Sequence, residues 1–210
     1  MSKAFTPINL ITNFDDFDGE NEFRFLSNFY IGEPLLVFSD QFMTGEHAFQ
    51  AMKCCDTKAG FEDYKKVKAA KTPGQSKTLG RKVKLRPDWE EVKYDAMAAI
   101  IRSKFSEHRD EGIWLLETGD ALLVEGTAWH DTVWGTTHSG EMPKARGRNW
   151  LGTLLMARRA ELRATLQGAP DYLTGRWNDR FAMITSQVVD PEPKPARKKK
   201  TKIADLTGPL

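Results

Sequence analysis

The sequence predicts a single α+β domain in which helices outweigh a few short strands. Three observations carry that expectation. Helix-start signatures recur at Thr44, Thr72-Pro73, Pro87-Asp88 and Asn149. The apolar residues that follow repeat at three- and four-residue spacing, which gathers them on one face of a helix. Runs with strand character are short, chiefly Leu35–Phe38 and Ala121–Glu125. With 210 residues the chain can bury one full core, and nothing in it implies a second. The expected organisation is a lead-in over residues 1–20, a domain over 21–168, an extension over 169–189 and a disordered basic tail over 190–210.

Taken in order, Ile8 to Glu22 is punctuated by Asn, Asp and Gly and reads as loop. The aromatic run Phe23-Arg24-Phe25-Leu26-Ser27-Asn28-Phe29-Tyr30 predicts an edge strand passing into a loop. Leu35–Phe38 predicts a strand that delivers the chain to a helix capped by Thr44. Thr57 to Ala70 is amphipathic, with Phe61, Tyr64 and Val67 on one side, and Thr72-Pro73 opens a short helix that Gly80-Arg81 ends. Pro87-Asp88 opens the longest expected helix, whose Trp89, Val92, Ala96, Ala99 and Ile100 form an apolar surface broad enough for the centre of a core. A helix over Glu111–Glu117 stops at Gly119, and Ala121–Glu125 follows as a strand.

The stretch from Gly126 to Arg148 holds Trp129, Trp134 and several glycines, too long and too aromatic for a passive connector, and reads as the wall of a site. Asn149 caps a last helix with Leu151, Leu154, Leu155, Leu162 and Leu166 in a stripe. From Asp190 the chain turns proline-rich and then basic.

Composition narrows the function. A net charge of +2 is too small to imply nucleic-acid binding by the whole protein. No apolar run is long enough to span a bilayer, and Met1–Pro7 has no uninterrupted apolar core after Lys3, so a cytoplasmic location is expected. Cys54 and Cys55 are adjacent on the presumed helix, where their side chains point apart, so free thiols are expected. His47, His108, His130 and His138 show no tight ligand spacing, although His130, Asp131 and His138 share one loop; no metal is expected. Neither a Walker pattern nor a dinucleotide-fold glycine triplet occurs, which disfavours nucleotide hydrolysis and hydride transfer.

The stretch most suggestive of chemistry is Glu46-His47-Ala48-Phe49-Gln50-Ala51-Met52-Lys53. On a helix, steps of four and then three residues align Glu46, Gln50 and Lys53, with Ala48, Met52 and Cys55 on another face. Glu46 and Lys53 would lie about 10 Å apart along the axis, suited to converging on a bound group rather than on each other. Glu46 is a candidate acid/base; Lys53 is a candidate nucleophile, because an amine of lowered pKa adds to carbonyl carbon and forms an imine. Taken alone, the same three residues also fit a solvated helix face, since Glu and Lys favour exposed helices. Phe25, Phe29 and Trp134 are candidate stacking groups, while Asn28 and Asn149 offer donors and acceptors. Arg81, with Lys77 and Lys82 nearby, is a candidate phosphate ligand or a simple helix-end charge.

Together, Phe25-Leu26-Ser27-Asn28-Phe29, Glu46-His47-x-x-Gln50-x-x-Lys53, Gly80-Arg81, Trp89, Lys104-Phe105, Leu123-Val124-Glu125, Trp134-Gly135 and Asn149-x-Leu151-Gly152-x-x-Leu155-Met156 resemble the NADAR family across roughly Asn21 to Leu166. That family is linked to NAD and ADP-ribose. It includes N-glycosidases of phosphorylated riboflavin-pathway intermediates and enzymes that remove ADP-ribose from guanine in DNA. The resemblance implies a NADAR-type α+β fold and an N-glycosyl hydrolase without a cofactor. It makes Glu46 the catalytic glutamate and Lys53 the lysine that traps ring-opened ribose as a Schiff base. It places Asn28, Phe29, His47, Gln50, Arg81, Asp131, Trp134, Gly135 and Asn149 at the substrate. Many relatives continue after Trp-Gly with acidic and glycine residues, whereas Thr136-Thr137-His138-Ser139-Gly140 follows here. The implied partner is an ADP-ribosyl or ribosyl-phosphate substrate, with DNA open through the substrate and the basic tail, and no membrane. The competing class is a non-catalytic ADP-ribose or NAD sensor.

Overall fold

Two long helices carry the core, and a seven-residue helix is wedged beside them. The computed structural model describes residues 10–12, 14, 21–106, 108–128, 130–137 and 145–166. Among them the order is β1 (Leu10–Thr12), a 3-10 helix (Glu22–Leu26), β2 (Leu35–Val37), β3 (Asp40–Phe42), α1 (Gly45–Ala51), α2 (Lys58–Lys68), α3 (Pro73–Gly80), α4 (Trp89–Lys104), α5 (Asp110–Glu117), β4 (Leu122–Val124), β5 (Thr136–Thr137), β6 (Arg146–Gly147) and α6 (Trp150–Leu166). The fold class is therefore α+β with helices dominant, as the sequence predicts. Trp129, His138, the extension over 169–189 and the tail over 190–210 lie outside the described residues.

On α4, Ala96, Met97, Ile100 and Ile101 are buried, and α4 packs against α1, β2 and α6. From α6 come Leu151, Leu155 and Leu162, which meet Phe105 and Leu123 in the same cluster. Each of these Leu, Ile, Met and Phe side chains contributes about 1.5–3 kcal/mol by leaving water. The strands only tie loops together. β1 and β4 pair in parallel, Ile11 opposite Leu123. β2 and β3 form a hairpin whose turn, Phe38 and Ser39, has both residues at positive φ, 51° and 69°, the conformation that matches the twist of a two-residue hairpin. β5 and β6 pair Thr136 with Gly147. No helix among the described residues is long and apolar enough to cross a membrane.

The caps expected at Thr44 and Thr72 form, and Thr57 makes a third. Thr44, Thr57 and Thr72 each have extended backbone and accept from the amides of His47, Gly60 and Gln75, satisfying an orphan donor in each first turn. Four expectations need correction. Phe23–Tyr30 is no strand: Asn21 caps a 3-10 helix over Glu22–Leu26, which turns Phe25 and Leu26 inward. Phe25 packs edge-to-face on Phe105 and Trp114, so it is core rather than a stacking platform. At 17 residues α6 is longer than α4, which has 16. The helix at Glu46 is shorter than its stripe: Met52 is the C-cap, and Lys53 and the cysteines lie beyond it.

Candidate active site

The site is built around α1, all seven residues of which are buried. In its first turn, where the helix end favours a negative group, Glu46 is 6% exposed. One turn on, Gln50 Nε2 donates to Glu46 Oε1 at 2.7 Å, which fixes the carboxylate. Gln50 can lie there because Gly80 faces it without a side chain; a Cβ on Gly80 would come within 2.1 Å of Gln50 Oε1. After Met52 the chain turns, and Lys53 O accepts from the Arg86 amide at 2.9 Å, beside a bridge between Cys54 and Leu85. Lys53 thus leaves a pinned turn rather than the helix stripe.

Around α1 lies a cavity of about 250 Å³ lined by Asn28, Phe29, Glu46, Phe49, Gln50, Lys53, Lys77, Arg81, Met97, Glu125, Thr127, Asp131, Trp134 and Leu151. Its electrostatics centre on Lys53. The ammonium sits over the rings of Phe49 and Trp89, 5.2 and 5.9 Å from their centroids. Burial pushes its pKa below the usual lysine value; Glu46 and Asp131 oppose that, while Lys77 and Arg81 reinforce it. The result is an amine biased towards its nucleophilic form.

The walls are held by interactions among the lining residues and with the residues just behind them. Lys104, buried at 3% exposure, donates to Ser27 O at 2.5 Å, and the Ser27 hydroxyl accepts from the Phe29 amide. Asn28 Nδ2 contacts Met97 Sδ at 3.2 Å, and Asn28 O accepts from the Glu46 amide at 2.9 Å. The loop carrying Asn28 and Phe29 is therefore tied to α1 and α4 together. Lys77 lies over the Phe29 ring at 5.0 Å. Asp131 Oδ1 accepts from the Val133 and Trp134 amides, 3.1 and 3.0 Å, which closes the turn that presents Trp134 edge-on to Phe49.

Of the residues singled out in the sequence, Asn28, Phe29, Glu46, Gln50, Lys53, Arg81, Asp131 and Trp134 meet in this cavity. His47, Gly135 and Asn149 do not line it. His47 is fully buried on the other side of α1: Nε2–H donates to Ala70 O at 3.0 Å, and Nδ1 accepts from the Thr44 hydroxyl at 2.8 Å. Burial lowers its pKa, consistent with this neutral tautomer. Asn149 does not cap α6 with its side chain. At φ 49° it turns that side chain across to β4, donating to Leu123 O at 2.8 Å and accepting from the Glu125 amide at 2.9 Å. Gly135 lets Glu125 approach, since a Cβ there would stand 2.6 Å from Glu125 O and 3.0 Å from its Cγ. Both act as supports for a cavity residue.

The sequence reading assigned no role to Glu125 or Thr127. For Glu125 a signal existed, a carboxylate directly after a buried strand; Thr127 carries none. Cys54 and Cys55 are free thiols, and burial pushes that of Cys54 up to about 12. Among the described residues no group of three His, Cys, Asp or Glu could hold a metal ion.

Comparison with known proteins agrees with this architecture. The NADAR domain matches the chain over residues 16–163. N-glycosidase YbiA of Escherichia coli is 35% identical over 159 residues, 75% of this chain and 89% of that protein. N-glycosidase Npun_R5314 of Nostoc punctiforme is 39% identical over 125 residues, 59% of this chain and 76% of that one. The chloroplastic riboflavin biosynthesis protein PYRR of Zea mays is 34% identical over 136 residues, 61% of this chain but 21% of that longer protein. The NMR structure of E. coli YbiA superposes with a TM-score of 0.62 at 30% identity, covering 77% of this chain and 89% of that one. With a family match over most of its length and N-glycosidases among its relatives, the chain belongs to the NADAR family and is a glycosidase.

Proposed function

We propose that this enzyme hydrolyses the N-glycosidic bond between a ribosyl phosphate and a nitrogenous leaving group, through Glu46 and Lys53. The observation that carries the reading is Lys53 itself: half-buried over two aromatic rings, lowered in pKa, and sharing one cavity with a held carboxylate. Neutral Lys53 Nζ adds to the anomeric carbon. The carbon–nitrogen bond breaks, its electron pair goes to the leaving nitrogen, and Glu46 manages the proton that this nitrogen gains. The resulting glycosylamine then opens: the C1–ring oxygen bond breaks, its electron pair and a proton go to that oxygen, Nζ loses a proton and the imine forms; water hydrolyses the imine, releasing the sugar phosphate and restoring the amine. In this scheme the lysine replaces the second carboxylate of ordinary glycosidases.

The substrate class follows from charge and size. Lys77 and Arg81 supply cations for a phosphate, Arg81 with a planar fork. At about 250 Å³ the cavity lies just below the usual range for ligand pockets, roughly 300–1,000 Å³, so it suits a phosphoribosyl group with the rest of the substrate at its mouth. That favours a phosphorylated riboflavin-pathway intermediate, the pathway named for the Zea mays relative. ADP-ribose on guanine in DNA is the other branch of the same chemistry. Side-by-side incubation with both substrates, reading released base and sugar by mass, separates the branches. Borohydride added during turnover should fix a sugar adduct on Lys53. The covalent scheme fails if no adduct forms and Lys53→Ala turns over normally. Tight ADP-ribose binding without turnover of either substrate would favour the sensor reading.

A further inference from the structure

Lys104 is 3% exposed and takes no part in the chemistry proposed above. A lysine is seldom buried this deeply unless its charge is held by defined partners. It is the last residue of α4, where the helix end favours a cation, and its ammonium lies 5.4 and 5.1 Å from the ring centroids of Tyr30 and Phe105. From that position Nζ donates to Ser27 O at 2.5 Å. A charged donor makes such a bond stronger than one between neutral groups.

Ser27 O is also the acceptor that closes a turn. The Tyr30 amide donates to it at 3.2 Å, and the Phe29 amide donates to the Ser27 hydroxyl at 3.0 Å. The two residues in between, Asn28 and Phe29, both line the cavity, whereas Ser27 and Lys104 stand behind it. Through this turn the Ser27 carbonyl is linked to the proposed acid/base and to a proposed phosphate cation. Asn28 O accepts from the Glu46 amide at 2.9 Å, at the start of α1, and the Phe29 ring lies beneath Lys77 at 5.0 Å. A shift of the turn is passed to both groups, and a misplacement of about 1 Å can cost a reaction about a hundredfold.

We propose that Lys104 is a positioning residue: its ammonium fixes the Ser27–Tyr30 turn and so sets the Asn28–Phe29 wall of the cavity against Glu46 and Lys77. It acts through these residues and touches no substrate. The assignment rests on the cavity being the reaction site, as proposed above.

The test is Lys104→Met in the full chain, which fills similar space without a charge or a donor. Residue-resolved amide exchange by NMR reads the turn. Steady-state kinetics, with a phosphorylated riboflavin-pathway intermediate and ADP-ribosylated DNA as substrates, read the reaction. Exchange at the Phe29, Tyr30 and Glu46 amides should quicken at least about tenfold more than at Leu155 and Leu162 inside α6, because the opening is local. On the substrate that the unaltered protein turns over, kcat/KM should fall about tenfold. Unchanged exchange at the turn overturns the proposal. A rise at the turn no larger than that in α6 overturns it too, being the mark of a residue that only stabilises the fold. Local opening with unchanged kcat/KM overturns it as well. Lys104→Gln keeps a donor on a side chain one bond shorter, so it should fall between the two proteins in both readouts, and it decides by the same criteria should the methionine protein not fold. Turnover of neither substrate by the unaltered protein overturns the proposed function, and the kinetic role of Lys104 with it, whatever the exchange shows.

Discussion

Replacing Gly80 with alanine tests how the Glu46 carboxylate is held. Alanine is the better helix former, by about 1 kcal/mol in a helix interior and less at the last residue of α3, where Gly80 sits. Against that gain stands a collision. The new Cβ would lie 2.1 Å from Gln50 Oε1, 2.7 Å from its Cβ and 2.8 Å from its Cδ. The amide can swing away, but the Gln50 Cβ is fixed to the α1 backbone, so α1 and α3 must separate. Overpacking of this kind costs about 1–3 kcal/mol. Displacing Gln50 also removes its hydrogen bond to Glu46, worth about 1.5–3 kcal/mol for a charged partner. The clash and the lost hydrogen bond therefore outweigh propensity, and Gly80→Ala should be destabilised by about 2–5 kcal/mol, roughly 4–20 °C in Tm for a chain of this size. Since Glu46 loses its orienting partner, kcat should fall about 10- to 100-fold. Thermal melts and steady-state kinetics provide the readouts. On a Gln50→Ala background the contacts with Oε1 and Cδ disappear but the 2.7 Å approach to Cβ remains, so the same change should be less destabilising there without becoming neutral. A Gly80→Ala protein that melts at or above the original temperature with unchanged kcat would refute the argument.

Three further outcomes follow. Under the proposed scheme the kcat profile should rise with pH and level off below the ordinary lysine pKa of about 10.4, because only a neutral amine adds to carbon. Arg81→Ala removes a cation that pushes the Lys53 pKa down, so at saturating substrate the plateau should move to higher pH; an unmoved profile counts against the coupling. Asn149→Asp deletes the donor to Leu123 O and sets a carboxylate against that carbonyl, which should cost about 1–3 kcal/mol in a denaturant melt. His47 is held neutral by burial, so the unfolded chain binds a proton at higher pH than the folded one. Stability should be complete above about pH 6.5 and be lost as pH falls through the lower folded pKa, a dependence that His47→Gln should flatten between pH 7 and 5.

The caps were legible in the sequence because they are local chemistry. Thr44, Thr57 and Thr72 each need only an amide three residues ahead, and nothing distant competes for their hydroxyls. Asn149 has the same cap signature and a distant competitor: β4 presents Leu123 O and the Glu125 amide as a pair that fits an amide side chain. The aromatic run at Phe23–Tyr30 misled for a related reason. Strand preference in aromatic residues reflects packing on a sheet, and here the packing partners of Phe25 are Phe105 and Trp114 rather than a neighbouring strand.

The site divides along the same line. Glu46 and Gln50 meet through an i, i+4 step that any helix would give, so their pairing was readable even though the helix stops before Lys53. Glu125 was not, because no periodicity says that the end of β4 faces α1. What the sequence left most open was whether the polar stripe faces solvent, the ordinary place for Glu and Lys. The structure places α1 against α2, α3 and α4 and buries every residue from Gly45 to Ala51. A helix buried all round should be apolar all round. This one carries Glu46, His47 and Gln50. His47 satisfies both ring nitrogens within the fold, and Gln50 donates to one oxygen of Glu46, but among the described residues Gln50 Oε1 takes no hydrogen bond and Glu46 still lines a cavity with Lys53 beside it. An apolar α1 would pack into the same space with less desolvation cost. Stability therefore gives no reason for the carboxylate or the half-buried amine, whereas the bond cleavage proposed above would use both.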